Sequence, residues 1–305
     1  MDVYLPIAEI SVNLWIVLVI GASVGFVSGM FGVGGGFLIT PLLIFIGVPP
    51  PVAVATGANE IVASSMSGIL AHWRRKTVDI RMGAVLSLSG IAGSAIGVII
   101  FRWLHRAGQV DLVIDLSYVI LLGTVGALML RESVVTILAR RAGRMIVPAR
   151  RHQWFHGLPF KMRFPRSRLY ISVVPILGLG FLIGILSAIM GVGGGFILVP
   201  ALIYLIGMPT AVVVGTGLFQ VLIVSAFTTL FQAWATQTVD VVLAMVMLFG
   251  AVVGAQYGAR AGLRLPGEQL RAMLALLVLL VALRLGLELV LTPDDVFTAI
   301  TGPKA

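Results

Sequence analysis

Polar side chains that could do chemistry are few in this chain, so their positions carry information. Glu60 lies inside an apolar stretch, directly after Thr56-Gly57-Ala58-Asn59. Ser64 and Ser67 follow it at i+4 and i+7, on one face of a helix. A carboxylate at membrane depth is costly; it tends to face a cavity and to serve proton relays. The plainer reading of Glu60 is a helix cap at the outer interface. In the second half Thr216, Gly217 and Gln220 stand where the first half has Thr56, Gly57 and Glu60, so only one half carries the charge. Ser225, Thr228, Thr229 and Gln232 make a comparable polar stripe.

Two glycine runs belong with these groups. Gly32-Val33-Gly34-Gly35-Gly36-Phe37 ends in a Pro at position 41, and Gly191-Val192-Gly193-Gly194-Gly195-Phe196 ends in Pro200, 159 positions later. Glycine weakens a helix, so runs of it in apolar sequence need a reason. A Gly-rich turn leading into a helix presents backbone N–H groups beside the positive end of the helix dipole, and both favour an anion. Two such turns from duplicated halves could meet near the bilayer midplane and cradle one small anion. Close packing of broken helices without ligand contact is the alternative.

The elements that must position these groups are apolar segments. The chain has 305 residues, 59% hydrophobic and 11% charged, with mean hydropathy +1.09. A soluble globule carries roughly a quarter charged residues, so the expected class is an all-α polytopic membrane protein. Five apolar segments occur in each half: 12–31, 34–48, 52–72, 82–102 and 112–131, then 171–190, 193–207, 211–233, 240–262 and 270–291. A spanning helix needs about 20 apolar residues. The second segment of each half is shorter and interrupted by Pro41 or Pro200, so eight to ten membrane helices are expected, some broken or re-entrant. Further matches support the duplication: Thr77-Val78-Asp79 with Thr238-Val239-Asp240, and Gly93 and Gly97 with Gly254 and Gly258.

The halves are expected at 1–131 and 170–305, joined by a basic linker at 132–169. That linker holds Arg140, Arg141, Arg144, Arg150, Arg151, Lys161, Arg163, Arg166 and Arg168, and basic loops stay cytoplasmic. Threading from there places Arg74, Arg75, Lys76 and Arg81, and also Arg260, Arg264 and Arg271, on the same side. The loop 235–238 and the acidic Asp294 and Asp295 fall outside. Arg102 and Arg106 are the exceptions. Equivalent loops thus fall on opposite faces, as in inverted repeats. Retaining that inversion needs five passes per half, or a broken first pair whose two pieces end on the face where they began. The net charge of +9 is accounted for by these loops, and no nucleic-acid partner is expected.

Other groups read as structural. Gly250, Gly254, Gly258 and Gly262 recur at every fourth position, a spacing that lets helices approach closely in lipid. Arg284 and Glu288 are four apart and can neutralise each other. His72, Trp73 and the basic run after them suit an interfacial anchor, or attraction of anions. His152, Trp154, Phe155 and His156 suit lipid contact. The absence of cysteine excludes thiolate chemistry. There is no HExxH, no GxGxxG with a following acid, and no plausible Ser–His arrangement. No enzyme activity, cofactor or metal is expected. No basic region precedes Arg74, so the first apolar stretch is expected to be retained rather than cleaved.

The residues resemble the sulfite exporter TauE/SafE family of membrane transporters. The resemblance rests on Gly32-Val33-Gly34-Gly35-Gly36 with Pro41, on Ala55-Thr56-Gly57, on Ala71-His72-Trp73-Arg74-Arg75-Lys76-Thr77-Val78-Asp79, and on the second glycine run with Pro200. It covers nearly the whole chain except the basic linker. It implies export of a small sulfur-containing anion, such as sulfite or the organosulfonate sulfoacetate, across a bacterial inner membrane. The expected partners are that anion and membrane lipid, with a homodimer left open. The expected substrate site is Gly34, Gly35, Gly36, Thr56, Gly57, Asn59, Gly193, Gly194, Gly195, Thr216, Gly217 and Gln220, with Glu60 carrying a proton.

Overall fold

The computed structural model describes residues 2–31, 33–141, 159–262 and 267–290. The first half holds β1 (Asp2–Leu5), β2 (Ile10–Asn13), α1 (Leu14–Phe31), α2 (Gly36–Phe45), α3 (Pro50–Arg74), α4 (Ile80–Arg106) and α5 (Val110–Arg141). The second holds β3 (Lys161–Phe164), β4 (Leu169–Ser172), α6 (Val173–Met190), α7 (Gly195–Tyr204), α8 (Thr210–Ala235), α9 (Val241–Gly262) and α10 (Gly267–Val290). The ten helices match the ten apolar segments. Five are long and apolar enough to cross a membrane: α1, α4, residues 110–136 of α5, residues 212–235 of α8, and α9.

Two β-hairpins depart from the all-helical expectation. β1 pairs antiparallel with β2, and β3 with β4. Each hairpin leads directly into the first helix of its half. The second falls partly within 132–169, the stretch read as linker, and α5 continues to Arg141. Gly32, the sequence 152–156 with its aromatic and histidine residues, Arg144, Arg150, Arg151, Arg264, Asp294 and Asp295 lie outside the described residues, as does the side chain of Glu288. Arg284 places its guanidinium over the Phe45 ring, 4.3 Å from the centroid.

The glycine ladders act as the packing reading expects. A Cβ at Gly250, Gly254 or Gly258 of α9 would overlap the backbone of α1 at Leu18, Ala22 or Phe26, and Gly21, Gly25 and Gly29 of α1 press in turn on Met247, Ala251 and Ala255. Partners advance together along both helices, so α1 and α9 run parallel. The counterpart contact joins α4 and α6: Gly93 meets Phe181, Gly97 meets Ile185 and Gly184 meets Gly90. With no hydrophobic drive between helices in lipid, such close van der Waals approach supplies the association energy. By contrast α5 and α10 run antiparallel, since Gly126 lies against Leu279 and Gly286 against Val119.

α2 and α7 have ten residues each, about 15 Å at 1.5 Å per residue and half a hydrocarbon core. α2 runs back along α3: Gly36 lies against Ile61, and Gly57 against Ile39 and Thr40. α1 ends near the C-terminal part of α3, because Ser28 and Gly29 line one cavity with Ser67 and His72. α1 and α2 together therefore return to the end of the bundle where α1 began.

Two matched ties fasten hairpin, helix start and opposite half. Asp79 accepts from Met82 N at the start of α4 (3.3 Å) and from Ser167 N and Oγ of the second hairpin turn (2.9 and 2.6 Å). Its own backbone N–H donates to the Thr216 hydroxyl at 2.9 Å. Asp240 accepts from Leu243 N (3.0 Å) and from Ile7 N of the first hairpin turn (3.1 Å), and its N–H donates to the Thr56 hydroxyl at 3.0 Å. Arg166 adds a bond to the Val78 carbonyl, 2.6 Å.

Three outcomes follow for stability in detergent, read by thermal unfolding. Gly254→Val forces a branched side chain into the α1 backbone and is expected to cost at least about 2 kcal/mol. Gly178→Ala, at an exposed helical site with open space around it, is expected to be neutral or slightly stabilising. Thr216→Val leaves the buried Asp79 N–H without its acceptor and is expected to cost about 1–3 kcal/mol, whereas Thr216→Ser keeps the bond. An unchanged melting temperature for Thr216→Val would show that the tie contributes nothing.

Candidate functional site

The two glycine turns meet at the centre of the molecule. Gly35 and Gly194, with φ of 71° and 74°, precede α2 and α7 in the left-handed region that glycine adopts freely. A Cβ on Gly36 would overlap the Val192 carbonyl, and one on Gly195 would overlap the Val33 carbonyl. The turns thus touch backbone to backbone, and the rings of Phe37 and Phe196 sit 5.5 Å apart just beyond. Both short helices point their N-termini at this contact, where the first N–H groups of a helix have no partner four residues back.

α3 and α8 pass alongside the turns and carry the polar groups. Glu60 and Gln220 are fully buried, 160 positions apart on equivalent helices. So are Ser65 and Ser225, each beside a turn: a Cβ on Gly34 would stand 3.4 Å from the Ser65 hydroxyl, and one on Gly193 would stand 3.2 Å from that of Ser225. Neither carboxylate oxygen of Glu60, neither side-chain amide atom of Gln220, and neither serine hydroxyl has a protein partner among the described residues. Thr229 Oγ1 and Ser87 Oγ are in the same condition. Each such atom costs about 1–3 kcal/mol if left unsatisfied. Buried polar groups are normally paired, so this many unpartnered ones on α3, α4 and α8, two of them beside the turns, call for an explanation other than folding.

A cavity of about 650 Å³ leads from one end of the bundle towards the first turn. Arg74, Arg75 and Arg260 stand along it with His72, and Ser64 and Ser67 lie deeper. Ser64, in the cavity wall, donates its Oγ–H to the Gly34 carbonyl at 3.2 Å, so a single side chain links the cavity to the first glycine turn. A wall of one sign of charge concentrates counter-ions at such an entrance.

The expected site residues divide by position. Gly34, Gly36, Gly193 and Gly195 form the turn contact, with Gly35 and Gly194 as the preceding caps. Glu60 and Gln220 are fully buried on α3 and α8, and the Gln220 amide nitrogen stands 3.2 Å from where a Cβ on Gly90 of α4 would be. Gly57 and Gly217 pack against α2 and α7. The Thr56 and Thr216 hydroxyls are engaged in the aspartate ties. Asn59 is half-buried. Ser65 was not among the expected residues. It follows Ser64 by 100° around the helix, off the Glu60-Ser64-Ser67 face, and its signal was the hydroxyl it shares with Ser225 at the repeat offset. No group of three or more His, Asp or Glu side chains among the described residues could hold a metal ion.

Residues 17–285 match the family model described as Sulfite exporter TauE/SafE. A probable membrane transporter protein, YjnA, from Bacillus subtilis (strain 168) is 28% identical over 88% of this chain and 98% of its own length. A probable membrane transporter protein from Xylella fastidiosa (strain 9a5c) is 30% identical over 86% and 91%. The Arabidopsis thaliana Sulfite exporter TauE/SafE family protein 3 is 32% identical over 31% of this chain and 20% of its own. No solved structure matches. The long apolar helices, the paired glycine turns and these relatives together make the chain a multi-pass membrane transporter that belongs to the TauE/SafE family.

Proposed function

We propose that the protein is a secondary transporter that exports a small sulfur-containing anion, sulfite or an organosulfonate such as sulfoacetate, by alternating access across a bacterial inner membrane. The observation that carries this reading is the arginine-lined cavity whose Ser64 bonds the first of two touching glycine turns, with the buried, unpartnered hydroxyls of Ser65 and Ser225 beside those turns. Backbone N–H groups, the Ser65 and Ser225 hydroxyls and the Gln220 amide can bind anion oxygens without a fixed cation. Binding of that kind leaves release easy. Glu60, fully buried on the same helix as Ser65 and without a protein partner among the described residues, carries a proton.

Topology supports the reading. The antiparallel run of α5 against α10, the matched aspartate ties and the return of the α1–α2 pair suit two halves of inverted orientation around a central site. The arginines at the cavity mouth support a cytoplasmic side for that mouth, since basic loops tend to stay inside. A negative-inside potential drives an anion outward by about 2.3 kcal/mol per charge per 100 mV.

Sulfite flux in proteoliposomes with an entrapped pH dye tests this. Saturable flux is expected, with matched proton movement that Glu60→Gln abolishes. Ser65→Ala and Ser225→Ala are each expected to raise the KM by about two- to tenfold, the worth of one net hydrogen bond. Non-saturable flux would make the protein a channel. Flux of organosulfonates but not of sulfite would reassign the cargo, and flux untouched by Glu60→Gln would leave a carrier driven by potential alone.

A further inference from the structure

The equivalent positions of the two halves differ in one place that bears on access. α3 and α8 stay in register at an offset of 160, through Gly57 and Gly217, Glu60 and Gln220, Ser65 and Ser225, and so to His72 and Gln232. α1 and α6 stay in register at 159, which makes Gly29 the counterpart of Ala188 and Phe31 that of Met190. At one end of the bundle Gln232 Nε2 donates to the Ala188 carbonyl at 2.9 Å, and both residues are fully buried. Tyr118 Oη donates to the Met190 carbonyl at 2.7 Å beside it. Carbonyls in the last turn of a helix lack intrahelical partners, so these bonds hold the α6 end shut against α8 and α5. At the other end the counterparts, His72 and Gly29, both line the 650 Å³ cavity. The His72 Nδ1 there shares a hydrogen bond of 2.9 Å with the Thr77 hydroxyl at its own helix end.

We infer that Gln232 and His72 are alternating gate latches: Gln232 on the Ala188 carbonyl closes one mouth in this state, and His72 on the Gly29 carbonyl closes the other mouth in the opposite state. This rests on the alternating-access reading. On closure the imidazole exchanges Thr77 for Gly29, donating one ring N–H to the carbonyl as Gln232 does to Ala188. The opposite mouth opens as the Gln232 bond breaks. The imidazole keeps one bond through its exchange, and the Gln232 amide released from Ala188 meets water as its mouth opens, so the two states stay close in energy, as a carrier requires. Tyr118 has no phenolic counterpart, since Val278 and Leu279 stand at the equivalent place in α10. That extra bond biases the resting protein towards the state seen here.

The chain contains no cysteine, so a single introduced thiol reports on each mouth. Ser67→Cys reads the open cavity, and Thr228→Cys, the counterpart of Gly68, reads the closed one. A membrane-impermeant maleimide is added from either side of the full-length protein in oriented vesicles. Ser67→Cys is expected to react fast from the cytoplasmic side, and Thr228→Cys slowly from the outside. Gln232→Leu is expected to speed Thr228→Cys labelling and slow Ser67→Cys labelling, each by about two- to tenfold, the shift one net hydrogen bond gives. Tyr118→Phe should do the same, and His72→Gln should slow Ser67→Cys labelling by strengthening the inner latch. Unchanged rates in Gln232→Leu, or both rates rising together, would overturn the latch. If Gln232→Leu does not fold, Tyr118→Phe and His72→Gln decide by the same criteria. Labelling needs no substrate, so a protein that shifts its accessibility yet carries no sulfite keeps the latch and loses the cargo assignment.

Discussion

The backbone contact between the two glycine turns is the constraint on which the rest depends. Val33 and Val192 place their carbonyls where a side chain on Gly195 or Gly36 would have to be. Backbone can come that close only where the residue facing the carbonyl has no Cβ. The contact fixes where α2 and α7 begin, and so points both N-termini at one place. It also sets the separation of α3 and α8, which flank the turns and bring Ser65 and Ser225 beside Gly34 and Gly193. Irregular backbone of this kind is tolerated at membrane depth only against protein or a cavity. Here it has both: protein across the turn contact, and an arginine-lined cavity on the side of Ser64.

Around that centre the structure repeats itself in its frame and departs from repetition in its chemistry. The α1–α9 and α4–α6 ladders are counterparts, and so are the ties of Asp79 and Asp240. These contacts are made of backbone, glycine, threonine and aspartate, which here hold geometry at the helix starts and crossings. The departures are Glu60 against Gln220, His72 against Gln232, and Tyr118 against an aliphatic residue. All lie along α3, α8 or α5. In the latch proposal such a frame allows two related conformations, and the unequal side chains set their balance.

Much of this was legible in the sequence because hydropathy and duplication report on backbone position. Ten apolar segments became ten helices, and the four-residue glycine spacing in α9 became a backbone contact with α1. The hairpins were not legible. Lys161-Met162-Arg163-Phe164 reads as basic linker, and a four-residue strand carries too little alternation to stand out. The roles of Thr56 and Thr216 were hidden for a different reason: their partners lie 184 and 137 positions away. Spacing along one helix shows which side chains share a face, but not which long-range N–H a hydroxyl will meet. Ser65 escaped for the same reason, since the face chosen from Glu60 excludes it, and only the fold turns it towards Gly34.

The charge arrangement follows from what a carrier must do. A guanidinium at the centre would bind an anion firmly, through desolvated bidentate contacts, and would then have to release it. Here the arginines line the cavity approach, where screening over about 8 Å at physiological ionic strength limits their pull to the approach. The centre offers hydroxyls, an amide and helix N-termini, each worth much less than a buried ion pair. A buried acid such as Glu60 repels an anion when ionised and not when protonated. On the proposed reading, anion and proton are linked through that charge, which stands in only one of the two halves, opposite the neutral Gln220.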